Sequence, residues 1–145
     1  MISFETPGID LPPGARYSSM STGDFDGDGD IDLLVMGLYR YGYDYVSVVY
    51  ENTGQNQGSG SLDGTTFQDI GAGLTEVSGG YGSTAVGDLD GDGDLDLVVA
   101  GYYYDGTYGG ALLTTIYENT GQNQGAGSLD SNTFQAVGAG LTGVR

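Results

Sequence analysis

The chain has 145 residues, with Lys+Arg 3 against Asp+Glu 20, no His, no Cys and a formal net charge of −17. The missing imidazole and thiol exclude the usual zinc ligand sets, a thiol or histidine nucleophile and any disulfide. So acidic a surface repels phosphate backbones and anionic lipid, which argues against nucleic acid and membrane surfaces as partners. The longest apolar stretches, around Leu33–Leu38 and Leu97–Ala100, are too short for membrane insertion.

Residues 1–16 come first and look like a detached closing segment. Phe4 and Leu11 have the spacing of Phe67 and Leu74, and again of Phe134 and Leu141. The opening MISFETPGIDLPP has neither a basic region nor an apolar core, so no secretion leader is expected within it. A first strand is predicted over Ser19–Gly23. It runs into Asp24-Phe-Asp-Gly-Asp-Gly-Asp-Ile-Asp32, in which every other residue is an acid. The apolar run Ile31–Gly37 predicts a second strand, buried on both faces, with Ile31 anchoring the acidic loop in the core. Tyr39, Tyr41, Tyr43 and Tyr45 follow, in the connection to a third strand over Tyr45–Glu51 that is rich in β-branched and aromatic residues. A long connection with Gln55-Asn56-Gln57 leads to a fourth strand, Thr66–Ile70. No stretch shows a capped helical period.

The pattern then starts again. Tyr17–Val35 aligns with Tyr81–Val99 at an offset of 64, and Tyr50–Thr75 with Tyr117–Thr142 at an offset of 67. The second pair differs only at positions 59, 64, 65, 69 and 70 and their counterparts, and ENTGQNQG recurs unchanged. The equivalent strands are Thr84–Gly87, Leu95–Gly101, Leu112–Glu118 and Thr133–Val137. The chain therefore divides into a leader 1–16 and two units, 17–80 and 81–145. A duplicated four-stranded unit of this length is the pattern of propeller blades.

The acidic loop carries the chemistry. Asp24, Asp26, Asp28 and Asp32 place carboxylates at positions one, three, five and nine, and the Asp30 carbonyl can supply position seven. Gly29 permits the reversal. An all-oxygen set of this kind suits Ca²⁺ better than Mg²⁺, which demands a smaller octahedral cage. Asp88, Asp90, Asp92, Asp94 and Asp96 repeat the arrangement around Gly93, with Leu95 as anchor. The expected cofactor is Ca²⁺, one per unit and two per chain. Strands flank the loop, and Val35 and Val99 stand where an EF-hand has its bidentate Glu, so this is not an EF-hand.

From Gly23 to Val35 and from Gly87 to Val99, and through Tyr50-Glu-Asn and the Thr66-Phe67…Ala72-Gly73-Leu74 tail, the chain resembles the FG-GAP/VCBS repeats of integrin-α-like β-propellers. It departs from them in having Tyr17-Ser18 and Tyr81-Gly82 for the leading Phe-Gly. Gly37-Leu38-Tyr39 and Gly101-Tyr102-Tyr103 likewise replace Gly-Ala-Pro. The resemblance implies an all-β fold of two four-stranded antiparallel blades with a Ca²⁺ loop joining the first two strands of each. It also implies ligand binding on the opposite face, where Tyr39, Tyr41, Tyr43, Tyr102, Tyr103 and Tyr104 are the candidate contacts; the alternative for each ring is packing between neighbouring blades. The expected function is extracellular or cell-surface ligand binding or adhesion, with a glycan or a protein as ligand. The alternative is a purely structural, self-assembling array in which calcium is a staple. No enzymatic activity is expected, because the acids outside the loops show no converging pair. Two blades cannot close a propeller, so homo-oligomerisation is expected, a trimer ahead of a tetramer.

Overall fold

The computed structural model describes residues 16–39, 44–54, 62, 64–75, 78–103, 111–121 and 128–137. All of the leader except Arg16, which begins the first strand, therefore lies outside the described residues, as do Tyr41, Tyr43, Tyr104 and the Gln55-Asn56-Gln57 segment. Eight strands run in chain order: β1 Arg16–Gly23, β2 Asp32–Tyr39, β3 Asp44–Asn52, β4 Phe67–Asp69, β5 Ser78–Gly87, β6 Asp96–Tyr103, β7 Ala111–Asn119 and β8 Phe134–Val137. They form two antiparallel meanders, β1-β2-β3-β4 and β5-β6-β7-β8. The described residues contain no helix.

Each meander follows from its residues. β2 and β6 are the apolar runs, and in each sheet they take the second place, with a partner strand on both sides. In that position every residue along a strand can pair its backbone, and neither edge is open to water. β3 and β7 carry the β-branched and aromatic residues that fit a pleated surface. β4 and β8 are short edge strands, a form that discourages pairing with stray chains. The register places Leu34 opposite Val49 and Leu97 opposite Tyr117, so apolar side chains align in rows across each sheet.

The two sheets pack on each other, and they do so with opposite faces of the repeat. In the first sheet the fully buried apolar residues are Leu34, Met36 and Val49. In the second they are Leu97 and Val99, the repeat counterparts of Leu33 and Val35, which point the other way in β2. Together with Phe25, Ile70, Leu74, Tyr117, Leu129 and Phe134 they make one core between the sheets. Phe25 and Phe134 meet edge to face with ring centroids 5.7 Å apart.

Polar groups close the same interface. Thr84 Oγ1 lies 2.7 Å from Ser21 Oγ and 3.1 Å from Ser19 Oγ, and the Thr84 N–H donates to Ser19 Oγ. The Tyr117 hydroxyl donates to Thr75 Oγ1 and accepts from the Thr75 N–H. Asn119 Nδ2 donates to the Phe25 carbonyl at 2.8 Å.

One expectation is overturned here. Ile31 does not anchor its loop: it is 52% exposed, whereas its counterpart Leu95 packs partly against the core. Burial on both faces of β2 is likewise incomplete, since Leu33 and Val35 are only half-buried. The physical reason is that the described structure covers the Leu34 face of the first sheet with the second sheet. The residue that anchors the first loop is Phe25.

Candidate metal centres

Each acidic loop joins the first two strands of its sheet and closes on itself through Asx turns. In the first, Asp26 Oδ1 accepts from the Asp28 N–H and Asp28 Oδ1 from the Asp30 N–H, while Asp24 Oδ2 accepts from the Gly29 N–H across the loop. In the second, Asp90 accepts from Asp92 and Asp92 from Asp94, and Asp88 takes the N–H groups of Gly91 and Gly93. Gly29 and Gly93 sit at φ 96° and 101°, a left-handed region that side chains resist. These short links between neighbouring residues turn the carboxylates inward.

The result is two carboxylate triads, Asp24, Asp26 and Asp28, and Asp88, Asp90 and Asp92, whose oxygens lie within 4.8 Å of one another. Two oxygens that each sit about 2.3–2.6 Å from one Ca²⁺ can be at most about 5 Å apart, so the spread fits a single ion. The first triad also has two buried oxygens without a hydrogen-bond partner, Asp24 Oδ1 and Asp26 Oδ2. Each belongs to a carboxylate whose other oxygen holds the loop backbone. A buried carboxylate oxygen left unpaired is costly, and a cation is the group that compensates it. The residues fit a hard divalent ion.

Asp32 and Asp96, placed at position nine by the sequence, have another occupation. Asp32 Oδ2 accepts from the Phe25 N–H and Oδ1 from the Asn52 N–H, both at 2.8 Å. Asp96 holds Leu89 and Asn119 in the same way. Each therefore ties the start of the acidic loop to the end of the third strand. They lie outside the triads, as do Asp30 and Asp94.

Burial has electrostatic consequences. Loss of water pushes the Asp26 carboxyl up, helped by the charges of Asp28 and Asp24 against the pull of the Asp28 N–H. Desolvation pushes Asp32 up to about 7, despite its two backbone N–H donors. Desolvation also raises Asp94, followed by repulsion from Asp92, Asp88, Asp90 and Asp96. The metal-free loops thus hold carboxyl groups that resist ionisation.

Sequence reasoning passed over Glu51, Asn52 and Asn119. Glu51 is buried and its carboxyl is raised, first by desolvation. It accepts from the Leu129 N–H and feels the charges of Asp26 and Asp28. Asn52 and Asn119 bind Asp32 and Asp96 through their N–H groups, and their side-chain oxygens hold the Gly54 and Gly121 N–H groups. The signal was present in the unchanged Glu-Asn-Thr-Gly of both units, but it gave no partner for those residues. Asp69 and Asp130 stabilise turns by accepting from Gly71 and Asn132.

Among the Tyr candidates, Tyr39 ends β2 and Tyr102 and Tyr103 end β6, at the far end of each strand from its acidic loop. Tyr102 is half-buried and Tyr103 is exposed. Comparison with family models, curated proteins and solved structures returns no match for this chain.

Proposed function

We propose that the chain is a calcium-binding module of the integrin-like propeller type, built of FG-GAP/VCBS-like blades, that binds a ligand and has no catalytic role. The observation that carries the reading is the pair of buried, unpartnered oxygens on Asp24 and Asp26 within a triad of suitable spread. Asp24, Asp26 and Asp28 would hold one ion and Asp88, Asp90 and Asp92 a second. The bound ion supplies charge neutralisation and a cross-link within the loop. Extracellular modules bind Ca²⁺ at about 10⁻⁴–10⁻³ M, so such sites fill outside cells or at their surface and empty in cytosol. The ligand face is the Tyr-bearing end, with Tyr103 exposed on it, and its aromatic surface suits a glycan or a protein.

Calorimetric titration tests the metal assignment. Two ions per chain are expected, with Asp28→Ala and Asp92→Ala each removing one and leaving the other. Ca²⁺ at tenfold excess over Kd adds about 1.4 kcal/mol per site. A melting temperature that neither millimolar Ca²⁺ nor chelator moves would sink the assignment. A glycan array in Ca²⁺ then asks for the ligand, and saturable binding lost on Tyr103→Ala supports the proposed face.

A further inference from the structure

Three of the large apolar side chains that the described residues expose, Leu62, Leu89 and Val137, are repeat counterparts of residues buried between the sheets, and a fourth, Met20, is the counterpart of a residue hydrogen-bonded across the interface. On the first sheet Leu62 and Met20 are 54% and 61% exposed, while their counterparts Leu129 and Thr84 lie in the interface. On the second sheet Leu89 is 54% exposed and Val137 is exposed, while their counterparts Phe25 and Ile70 are in the core. The outer face of the first sheet is thus the repeat equivalent of the inner face of the second, and the reverse also holds. Each chain presents the two halves of its own internal interface, one on each outer side.

We propose that a second copy of this chain docks head to tail on these faces, the second sheet of one copy against the first sheet of the next. The occupant follows from the repeat, because the faces already joined inside the chain are close sequence copies of those left outside. The contacts are specified by the same equivalence. Leu89 of one copy takes the place of Phe25 and packs on the neighbouring copy's Phe67. Asn52 Nδ2 of the neighbour donates to the Leu89 carbonyl, as Asn119 Nδ2 donates to that of Phe25. Glu118, exposed in the single chain, accepts from the neighbour's Leu62 N–H as Glu51 does from that of Leu129. The contact joins two different surfaces, so each copy engages two neighbours, and repetition of one rotation gives a ring where that rotation closes and an open filament where it does not.

Light scattering after size exclusion, at physiological salt and millimolar Ca²⁺, tests this on the full chain. The expected mass is one integer multiple of 14.9 kDa that does not change with loading concentration. Met20→Arg and Ala85→Arg alter exposed strand positions on the two outer faces, so neither disturbs the internal core. Each variant alone is expected to run at 14.9 kDa. Mixed together they retain one intact pair of faces between them and should give a one-to-one dimer and nothing larger. A wild-type chain of 14.9 kDa overturns the proposal. Variants that keep the wild-type mass overturn it as well, as does a mixture that stays monomeric.

Discussion

The two acidic loops have nearly the same sequence and different surroundings. Phe25 in the first is fully buried and Asp26 beside it is 1% exposed, whereas Leu89 and Asp90 in the second are exposed. Hydrogen bonding within the loops is almost the same: the Asx turns recur, and Asp32 and Asp96 each clamp two equivalent N–H groups. The difference comes from what stands next to them. The second sheet covers the first loop, and nothing among the described residues covers the second. Local sequence sets the loop's internal geometry, and the neighbouring sheet sets the dielectric in which its charges sit.

The largest test of this comparison is to truncate the residue that differs most. Phe25→Ala should cost about 3–5 kcal/mol, since it empties an aromatic site between the sheets and removes the Phe134 contact. Leu89→Ala should cost less than about 1 kcal/mol in the single chain, because its side chain is already in water. Equal losses in denaturant unfolding would show that the two loops are buried alike.

Next in size is the clamp that both loops share. Asp32→Ala leaves the N–H groups of Phe25 and Asn52 without acceptors and should cost about 2–4 kcal/mol. Asp96→Ala should cost a similar amount, since each clamp has one buried and one part-buried bond. Chemical denaturation of both variants in chelator, where no metal contributes, checks the equality.

A smaller effect is expected from pH in the metal-free protein. Asp32 has a folded pKa of about 7 against 3.8 unfolded, so the folded state binds more protons between those values. Stability is then full below about pH 4 as far as this group is concerned, and it is lost as pH rises through 7. Asp26 acts in the same direction. From pH 5 to 7.5 the metal-free chain should lose on the order of 2 kcal/mol, and saturating Ca²⁺ should reduce that loss. Stability in chelator that rises over this interval would contradict the burial of the first loop.

The smallest effect sharpens the comparison by its symmetry. A Cβ on Gly29 or Gly93 meets nothing within 4 Å, so alanine there pays only for left-handed backbone. Gly29→Ala and Gly93→Ala should each cost about 1–2 kcal/mol, and about equally. A large difference between them would place the contrast in the loop backbone instead of in its surroundings.

Much of the fold was legible in the residues. The repeat offset, the apolar runs and the Gly- and Asn-rich turns gave eight strands, close to those observed except that β5 begins at Ser78 and not at Thr84, because strand formation here is a local choice supported by pattern. The alternating acids and Gly29 gave the inward-facing loop for the same reason. The anchor was misread because Ile31 and Phe25 are both apolar neighbours of the loop. Choosing between them requires knowing which face of the sheet is covered. Glu51 went unrecognised as part of the first loop's surroundings because its Leu129 partner belongs to the other unit.

What the sequence determined by itself was the repeated local pattern: two antiparallel sheets and an acidic loop in each, whereas the roles of Asp32 and Asp96 as clamps on Asn52 and Asn119 emerged only from the structure. Only the tertiary structure decided which face of each sheet is buried. It also decided why Phe25 and Leu89, or Glu51 and Glu118, have opposite fates in nearly identical units. Sequence distance cannot report this, because burial belongs to the pair of surfaces in contact, and a repeat carries the same two faces in every copy.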